Sequence, residues 1–364
     1  MPFALLTGRG VWMAMKLVAV LAVSLAIAGC GGATKSGVSR SYSLSPWTLS
    51  SAASLNATES LTCSSSASCV SVQQPGSKTV LELVDPANGK TQLSAGLPMM
   101  DAPIKAYCRG GICLAAAEIC DANSCTQQVT RYVLQSHQLS RYTLDTEGAP
   151  GGSIRMDCDN NTGSCIAAAQ TAGRIRLSVS SDFGANWKLW TMPRVSSSPA
   201  VEAEACPGAR VCVVAVGSSL PAPGRAEILR TDDGGGSWKT SDLPSGATIN
   251  EISAISCGTT DGCIATGIPV ALHSATAGAS WTLGGPLRHP NISYLSCTGT
   301  NTCVAQADGG KLGWTDSAGQ SWSWAAIPQL QWTGVFCESA SSCIVGAHSN
   351  VSELPLRVWR MTRS

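Results

Sequence analysis

The stretch CPGARVCVVAVGSSLPAPGRAEILRTDDGGGSW, Cys206 to Trp238, decides the reading of this chain because the rest of the sequence repeats it. It holds a close cysteine pair (Cys206, Cys212), an apolar run, a loop, and an ending of the form S/T-x-D-x-G-x-x-W. Working outward, the same cysteine pair recurs with first members Cys63, Cys108, Cys158, Cys206, Cys257, Cys297 and Cys337, spaced by 40 to 51 residues. A period of that size marks a repeat array. The length of 364 residues agrees, being long for one ordinary core.

Each copy carries an alternating apolar run before its first cysteine (SIRMDC, EISAISC, NISYLSC) and a second run after the partner (CIAAAQ, CIATGI, CVAQAD). The pattern predicts two strands joined by a tight turn. Cysteines that flank such a turn face one another at a distance a disulfide accepts. The expected bridges are Cys63–Cys69, Cys108–Cys113, Cys158–Cys165, Cys206–Cys212, Cys257–Cys263, Cys297–Cys303 and Cys337–Cys343, with an extra pair, Cys120–Cys125, inserted in the second copy. Zinc is the rival use of cysteine. No C-x-x-C occurs and the four His are scattered, so no metal site is expected.

The ending of the unit returns as SSDFGANW (Asp182, Gly184, Trp187), TDDGGGSW (Asp233, Gly235, Trp238), SATAGASW (Gly278, Trp281) and TDSAGQSW (Gly319, Trp322). These segments resemble the Asp-box, or BNR, repeat of sialidases, sortilin-type receptors and the propeller family of the photosystem II assembly factor. The resemblance implies an all-β chain, a seven-bladed β-propeller in which the motif is a turn. The Asp or a hydroxyl binds backbone N–H groups, the Gly supplies a positive φ and the Trp packs between blades. Thr276 and Ser317 stand where the Asp belongs in two copies, which marks the motif as a folding element. A calcium loop in TDDGGGSW would need further carboxylates where Leu243 and Pro244 stand. In the first copy VDPANGKT, around Asp85 and Gly89, is a degenerate version.

Trp47 lies 16 residues before Cys63 with no hairpin ahead of it, and the last copy stops at LRVWRMTRS. Trp47-Thr48-Leu49 is therefore expected to complete the last blade, removing the open edges of the array.

The N-terminus reads as an export signal: Met15-Lys16, the apolar run LVAVLAVSLAIAG, then Cys30. Ile27-Ala28-Gly29-Cys30 resembles a lipobox, which implies lipidation of Cys30 and a bacterial lipoprotein. A membrane-spanning anchor is the alternative, but Val18 to Gly29 is short for one. The expected organisation is a signal peptide over 1–29, the lipidated cysteine and a Gly/Ser-rich tether over 30–45, and the propeller over 46–364. Such a protein belongs to the cell envelope, facing periplasm or exterior. Gly31 lacks the Asp that retains some lipoproteins at the inner membrane and so points toward the outer one.

Charged residues make up 13% and the formal net charge is +1, which excludes the basic excess of a nucleic-acid binder. In a four-stranded blade the cystine turns and the Asp-box turns share one face, and the irregular loops gather on the other. Varying loops on a rigid repeat scaffold are where binding is built. Arg155, Glu202, Arg225, Arg288, His289 and Trp332 are the candidate binding residues on that side, suited to a carboxylated or sugar-like ligand or a protein edge.

A sialidase needs three arginines, a Tyr nucleophile with a Glu, and an Asp acid. APIK and RIR do not fit its Arg-Ile-Pro stretch, and five Tyr leave the set incomplete. No G-x-S-x-G, H-E-x-x-H or P-loop occurs, so neither catalytic residues nor a cofactor are assigned. The expected function is a lipid-anchored binding or assembly platform for a protein or glycan partner. A glycan-active surface enzyme and an adhesin are the alternatives.

Overall fold

A computed structural model gives the structure of the chain. It describes residues 41–363 apart from the short segments 45–46, 56–59, 66–67, 74–78, 98–104, 121–124, 149–152, 160, 172–173, 193–198, 219–225, 246–248, 290, 328–329 and 350–355. The expected signal peptide and Cys30 lie outside the described residues. The described residues form seven antiparallel sheets and no helix, a seven-bladed β-propeller.

The innermost strands of blades one to seven are Ser60–Ser65, Ala106–Arg109, Ser153–Cys158, Pro199–Gly208, Glu251–Cys257, Ile292–Thr298 and Leu330–Ser339. Each pairs with the next strand in sequence, and three further strands in order complete blades one to six. Blade seven is completed differently. Its outer strand is Trp47–Leu55, which runs antiparallel to Leu356–Arg363 with Trp47 opposite Arg363 and Leu49 opposite Met361. The closure expected from the sequence is present. It extends further upstream than expected, because Ser41–Ser43, assigned to the tether, pairs with Thr48–Ser50 as a fifth strand.

The packing has a radial gradient. Near the axis the sheets approach closely, and the second strands answer with small side chains: Ala115, Ala116 and Ala117 in blade two, Ala167, Ala168 and Ala169 in blade three, all buried. Farther out the sheets diverge and indole rings fill the wedge. Trp187 of blade three stacks on Tyr142 of blade two at 5.5 Å between centroids, and Trp238 of blade four meets Trp190 of blade three at 6.1 Å. Trp281 of blade five is buried among Ala203, Val213 and Ile228 of blade four. Trp47 fills the same role in the last gap, packed on Leu312 and Trp314 of blade six and only 1% exposed.

In blades one, two, three, five, six and seven the two cysteines are direct cross-strand partners. In blade four a bulge shifts the register, yet Cys206 still bridges Cys212. All seven expected bridges are formed. In the insert Cys120 and Cys125 are cross-strand partners and Cys125 is disulfide-bonded. Loops this small contribute about 2 kcal/mol each by the chain-entropy estimate, so the bridges fix register more than they hold the ring.

The four turns ending at Trp187, Trp238, Trp281 and Trp322 share one bonding pattern. A hydroxyl at the first position (Ser180, Thr231, Ser274, Thr315) accepts the N–H of Gly184, Gly235, Gly278 and Gly319 at 2.8 to 3.1 Å. Each Gly has φ between 76° and 85°, and the residue before it (Phe183, Gly234, Ala277, Ala318) is also left-handed. Asp182 Oδ1 accepts the N–H of Asn186, and Asp233 Oδ1 those of Gly236 and Ser237. Thr276 and Ser317 accept the equivalent N–H groups of Ser280 and Ser321 through a hydroxyl, at 2.9 and 3.0 Å. The residue before each Gly also donates its N–H to the cystine turn of its own blade, to Gly163, Arg210, Asp261 and Asn301. The two turn types therefore lie together on one face. The blade-one segment differs: Asp85 accepts from Ala87 and Asn88 within its own tight turn.

Two predictions follow from this packing. Trp47→Ala, which empties the closing wedge, should cost about 3–5 kcal/mol; urea unfolding should show a lower midpoint, and an unchanged midpoint would mean the ring does not depend on this strand. The second concerns acid. The N–H and hydroxyl of Ser237 hold Asp233 well below the usual carboxylate range, and bonds from Asn186 lower Asp182 against an opposing effect of burial. Since folding lowers both pKa values, their stabilisation is complete above the unfolded value of about 3.9 and is lost as pH falls through the folded values. Amide exchange below pH 4 should accelerate at Ser237 and Asn186 but not at Ser280 or Ser321, whose acceptors do not titrate.

Candidate functional site

Propeller sheets converge on a central channel, and here it widens into a cavity of ≈ 1200 Å³ lined by the innermost strands and by the cystine turns. It reaches the cystine-turn face. The sequence places its irregular loops, where binding is expected, on the opposite face. The cavity runs from Ser64, Asp159, Gly258, Thr300 and Glu338 at the turns to the level of Lys105, Arg155, Ser253 and Thr333 inside.

Its wall is divided. Blades five to seven and blade one contribute hydroxyl and apolar groups such as Ser256, Ser296, Thr62, Leu295 and Phe336, with the Glu338 carboxylate at the turn rim. Ser256 and Ser296 have a structural duty, each accepting the N–H of the next blade's first cysteine, Cys297 and Cys337, at 3.0 and 2.9 Å. Blades two to four contribute charge. Asp157 occupies the position of those serines, and its Oδ2 accepts the N–H of Cys206 at 3.3 Å. Its Oδ1 accepts the Tyr107 hydroxyl at 2.9 Å. Beside it Glu204, whose side chain is 1% exposed, pairs with Lys105 at 3.0 Å across blade three. Glu204 Oε2 has no partner.

Burial pushes the Asp157 carboxyl up, and Glu204 adds to this against the opposing charge of Lys105. Burial also raises the Tyr107 phenol, which keeps it a hydrogen-bond donor. For Lys105, burial favours the neutral amine, but Glu204 and Asp157 together outweigh it and hold the pKa above its ordinary value. The result is a layered wall. Both oxygens of Asp157 and one of Glu204 are bonded within the protein and the other Glu204 oxygen is buried, while the Lys105 side chain is 41% exposed. Arg155 lines the same wall and forms no hydrogen bond or ion pair among the described residues. The groups this arc offers to a ligand are thus donors: an ammonium with hydrogens to spare and a free guanidinium.

The structure separates the six candidate binding residues. Arg155 belongs to the cavity. Glu202, two residues from Glu204, is engaged elsewhere: its Oε2 accepts the Ile252 N–H of blade five at 2.8 Å, and it lies over Gly217, where a Cβ would overlap its carboxylate. It is an inter-blade tie, raised in pKa mainly by burial. Arg288 and His289 stand together, away from the cavity, on the connection from blade five to blade six. Arg225 lies outside the described residues. Trp332 is in the innermost strand of blade seven, with its side chain outside the described residues. Missing from the sequence reading were Lys105, Tyr107, Asp157 and Glu204. The signal was available in the repeat: the two positions before the first cysteine read Ile255-Ser256 and Leu295-Ser296, and a charge replaces each in turn at Glu204 and Asp157.

Lys105→Met would strand the Glu204 carboxylate. The expected cost is about 2–3 kcal/mol, less than for a wholly buried pair because water reaches the ammonium. Arg155→Met removes no intramolecular bond and should leave the urea midpoint unchanged. Equal losses in the two variants would contradict the division between committed and free groups.

No family model matches the chain, and no curated protein matches it. Solved structures do. YCF48 bound to D1 peptide is similar with a TM-score of 0.52 and 12% identity, over 88% of this chain and 97% of that one. The β-propeller domain of the Trilobed protease from Pyrococcus furiosus, which has an open velcro topology, matches with a TM-score of 0.52 and 10% identity over 82% and 95%. The propeller domain of Myceliophteria thermophila Cps50 (Swd1) matches with a TM-score of 0.52 and 10% identity over 84% and 97%. At these identities the likeness is one of fold, and it places the chain among the β-propellers.

Proposed function

We propose that this protein is a binding platform that receives an extended segment of a protein partner in the cystine-side cavity. The observation that carries the reading is the divided wall, with the partly exposed Lys105 ammonium and the unpaired Arg155 guanidinium on one arc and hydroxyl and apolar groups, with Glu338 at the turn rim, on the other. An extended chain presents carbonyl oxygens along its whole length and carboxylates at intervals, and such a wall meets both. A propeller of this fold has been seen with a peptide bound, in YCF48.

The finer reading is that of a bacterial lipoprotein of the BNR type. The lipobox-like Ile27-Ala28-Gly29-Cys30 supports an anchor at Cys30 and a place in the envelope. The shared bonding of the turns at Asp182, Asp233, Thr276 and Ser317 supports the Asp-box assignment. The cystines support an oxidising compartment.

Both parts have a direct test in the native envelope. Cys30→Ala should move the protein from the detergent phase to the aqueous phase on detergent partition; retention in the detergent phase would refute the lipid anchor. A photo-crosslinking residue at Ser253 or Thr333, inside the cavity, should yield peptide adducts that Arg155→Glu suppresses. Adducts that form only from positions on the outer strands, or that ignore the Arg155 change, would overturn the cavity reading.

A further inference from the structure

Arg288, His289 and Lys311 form a cluster of basic side chains on the face opposite the cystine turns, between the outer parts of blades five and six. Arg288 and His289 belong to the connection that follows Thr282–Pro286, and Lys311 opens the third strand of blade six, Lys311–Thr315. The Lys311 ammonium lies 3.1 Å from His289 Nδ1 and 3.4 Å from Nε2. The imidazole stands edge-on to Trp324, with centroids 4.9 Å apart, and Trp324 stacks on Trp322 at 5.8 Å. Trp324 is held in turn by Gly313, its cross-strand partner, where a Cβ would fall 2.6 Å from the indole. A glycine in the strand thus seats the ring that fixes the histidine.

Among the described residues no carboxylate pairs with Arg288 or Lys311. Asp308, the nearest acid along the chain, spends an oxygen on the Asn291 amide at 3.0 Å. The Leu287 side chain and the indoles of Trp322 and Trp324 pack beside the site. Holding the Arg288 and Lys311 cations beside one imidazole with no paired carboxylate is unfavourable, and a bound anion would relieve it. We infer that Arg288, His289 and Lys311 form a binding site for an oxyanion, the carboxylate or phosphate group of a soluble anionic ligand.

The geometry also sets a coupling to protons. In the free protein burial, then Lys311 and Arg288, hold the His289 pKa below its ordinary value, so the neutral ring accepts from the lysine. An oxyanion reverses this balance, because it attracts Lys311 and favours the imidazolium as a further donor. Binding should therefore take up a proton and weaken as pH rises through the titration of His289 in the complex. The inference is independent of the cavity reading, since the site shares no residue with it.

The test is an NMR pH titration of the full folded chain, following the four histidine ring signals, with His289→Asn assigning the one in question. Sodium phosphate and sodium glucuronate are compared with sodium chloride at matched ionic strength. The expected result is a His289 midpoint raised by about one pH unit, a tenfold coupling, in phosphate, in glucuronate, or in both. The pattern identifies which oxyanion the site prefers. Lys311→Met and Arg288→Gln, each with an unchanged cystine-turn spectrum, should abolish the rise while His137 and His348 stay unaffected. A midpoint that moves no further in either salt than in chloride, or a rise that survives both substitutions, would overturn the assignment.

Discussion

Every blade of this protein is a sheet with two apolar faces, so none can be stable except between two others. That single constraint, burial of both faces of each sheet, organises the remaining features. A row of seven such sheets would leave its first and last faces in water; a ring leaves none. Closure is therefore the condition on which the other contacts depend, and the chain meets it by setting Trp47–Leu55 beside Leu356–Arg363. The hydrogen bonds of this pairing join segments some 300 residues apart, so the loss of loop entropy is large but grows only with the logarithm of length. The hydrophobic gain from two completed interfaces offsets it. Arg363 adds a lock at the seam, lying 6.0 Å from the Trp47 ring and bonding Asp316 of blade six at 2.7 Å.

The fold was legible in the sequence because its repeat writes the same physical requirements seven times. Paired cysteines announce a tight hairpin, and the alternation on either side announces its strands. The N-terminal Trp47 could be placed in the last blade because its spacing from Cys63 matches that of the other wedge tryptophans from the cysteine that follows. The fifth strand at Ser41–Ser43 was not legible, since a Ser-Tyr-Ser segment carries neither apolar alternation nor a turn signal. It is held by backbone bonds to a neighbour that only the closed ring supplies.

The candidate site was less legible, for the opposite reason. Repeat reasoning finds what recurs, and a binding wall consists of departures from recurrence. Glu202 looked available because it is a charge in a loop-proximal strand, but a bulge turns it onto Gly217 and toward the Ile252 N–H. Glu204 and Asp157 looked like ordinary strand residues, yet they stand where other blades carry Ile or Leu and Ser. Lys105 reaches its partner across an intervening blade, a contact with no trace in local sequence. Arg288 and His289 were recognised from their chemistry, whereas Lys311 became part of their cluster only through the folding of blade six.

The radial gradient of side-chain size links scaffold to site. Alanine in the second strands lets neighbouring sheets approach near the axis, and tryptophan in the outer parts keeps them apart at the rim. Together they set the wedge angle of each blade, and seven such wedges complete the circle. The same angle fixes how far the innermost strands stand from the axis and so leaves the cavity in which Lys105 and Arg155 are displayed. At the outer gap between blades five and six the same wedge holds Trp322 and Trp324, and there the indoles do more than fill space. They fix the His289 ring against Lys311, so a packing requirement of the ring becomes the support of a basic surface cluster.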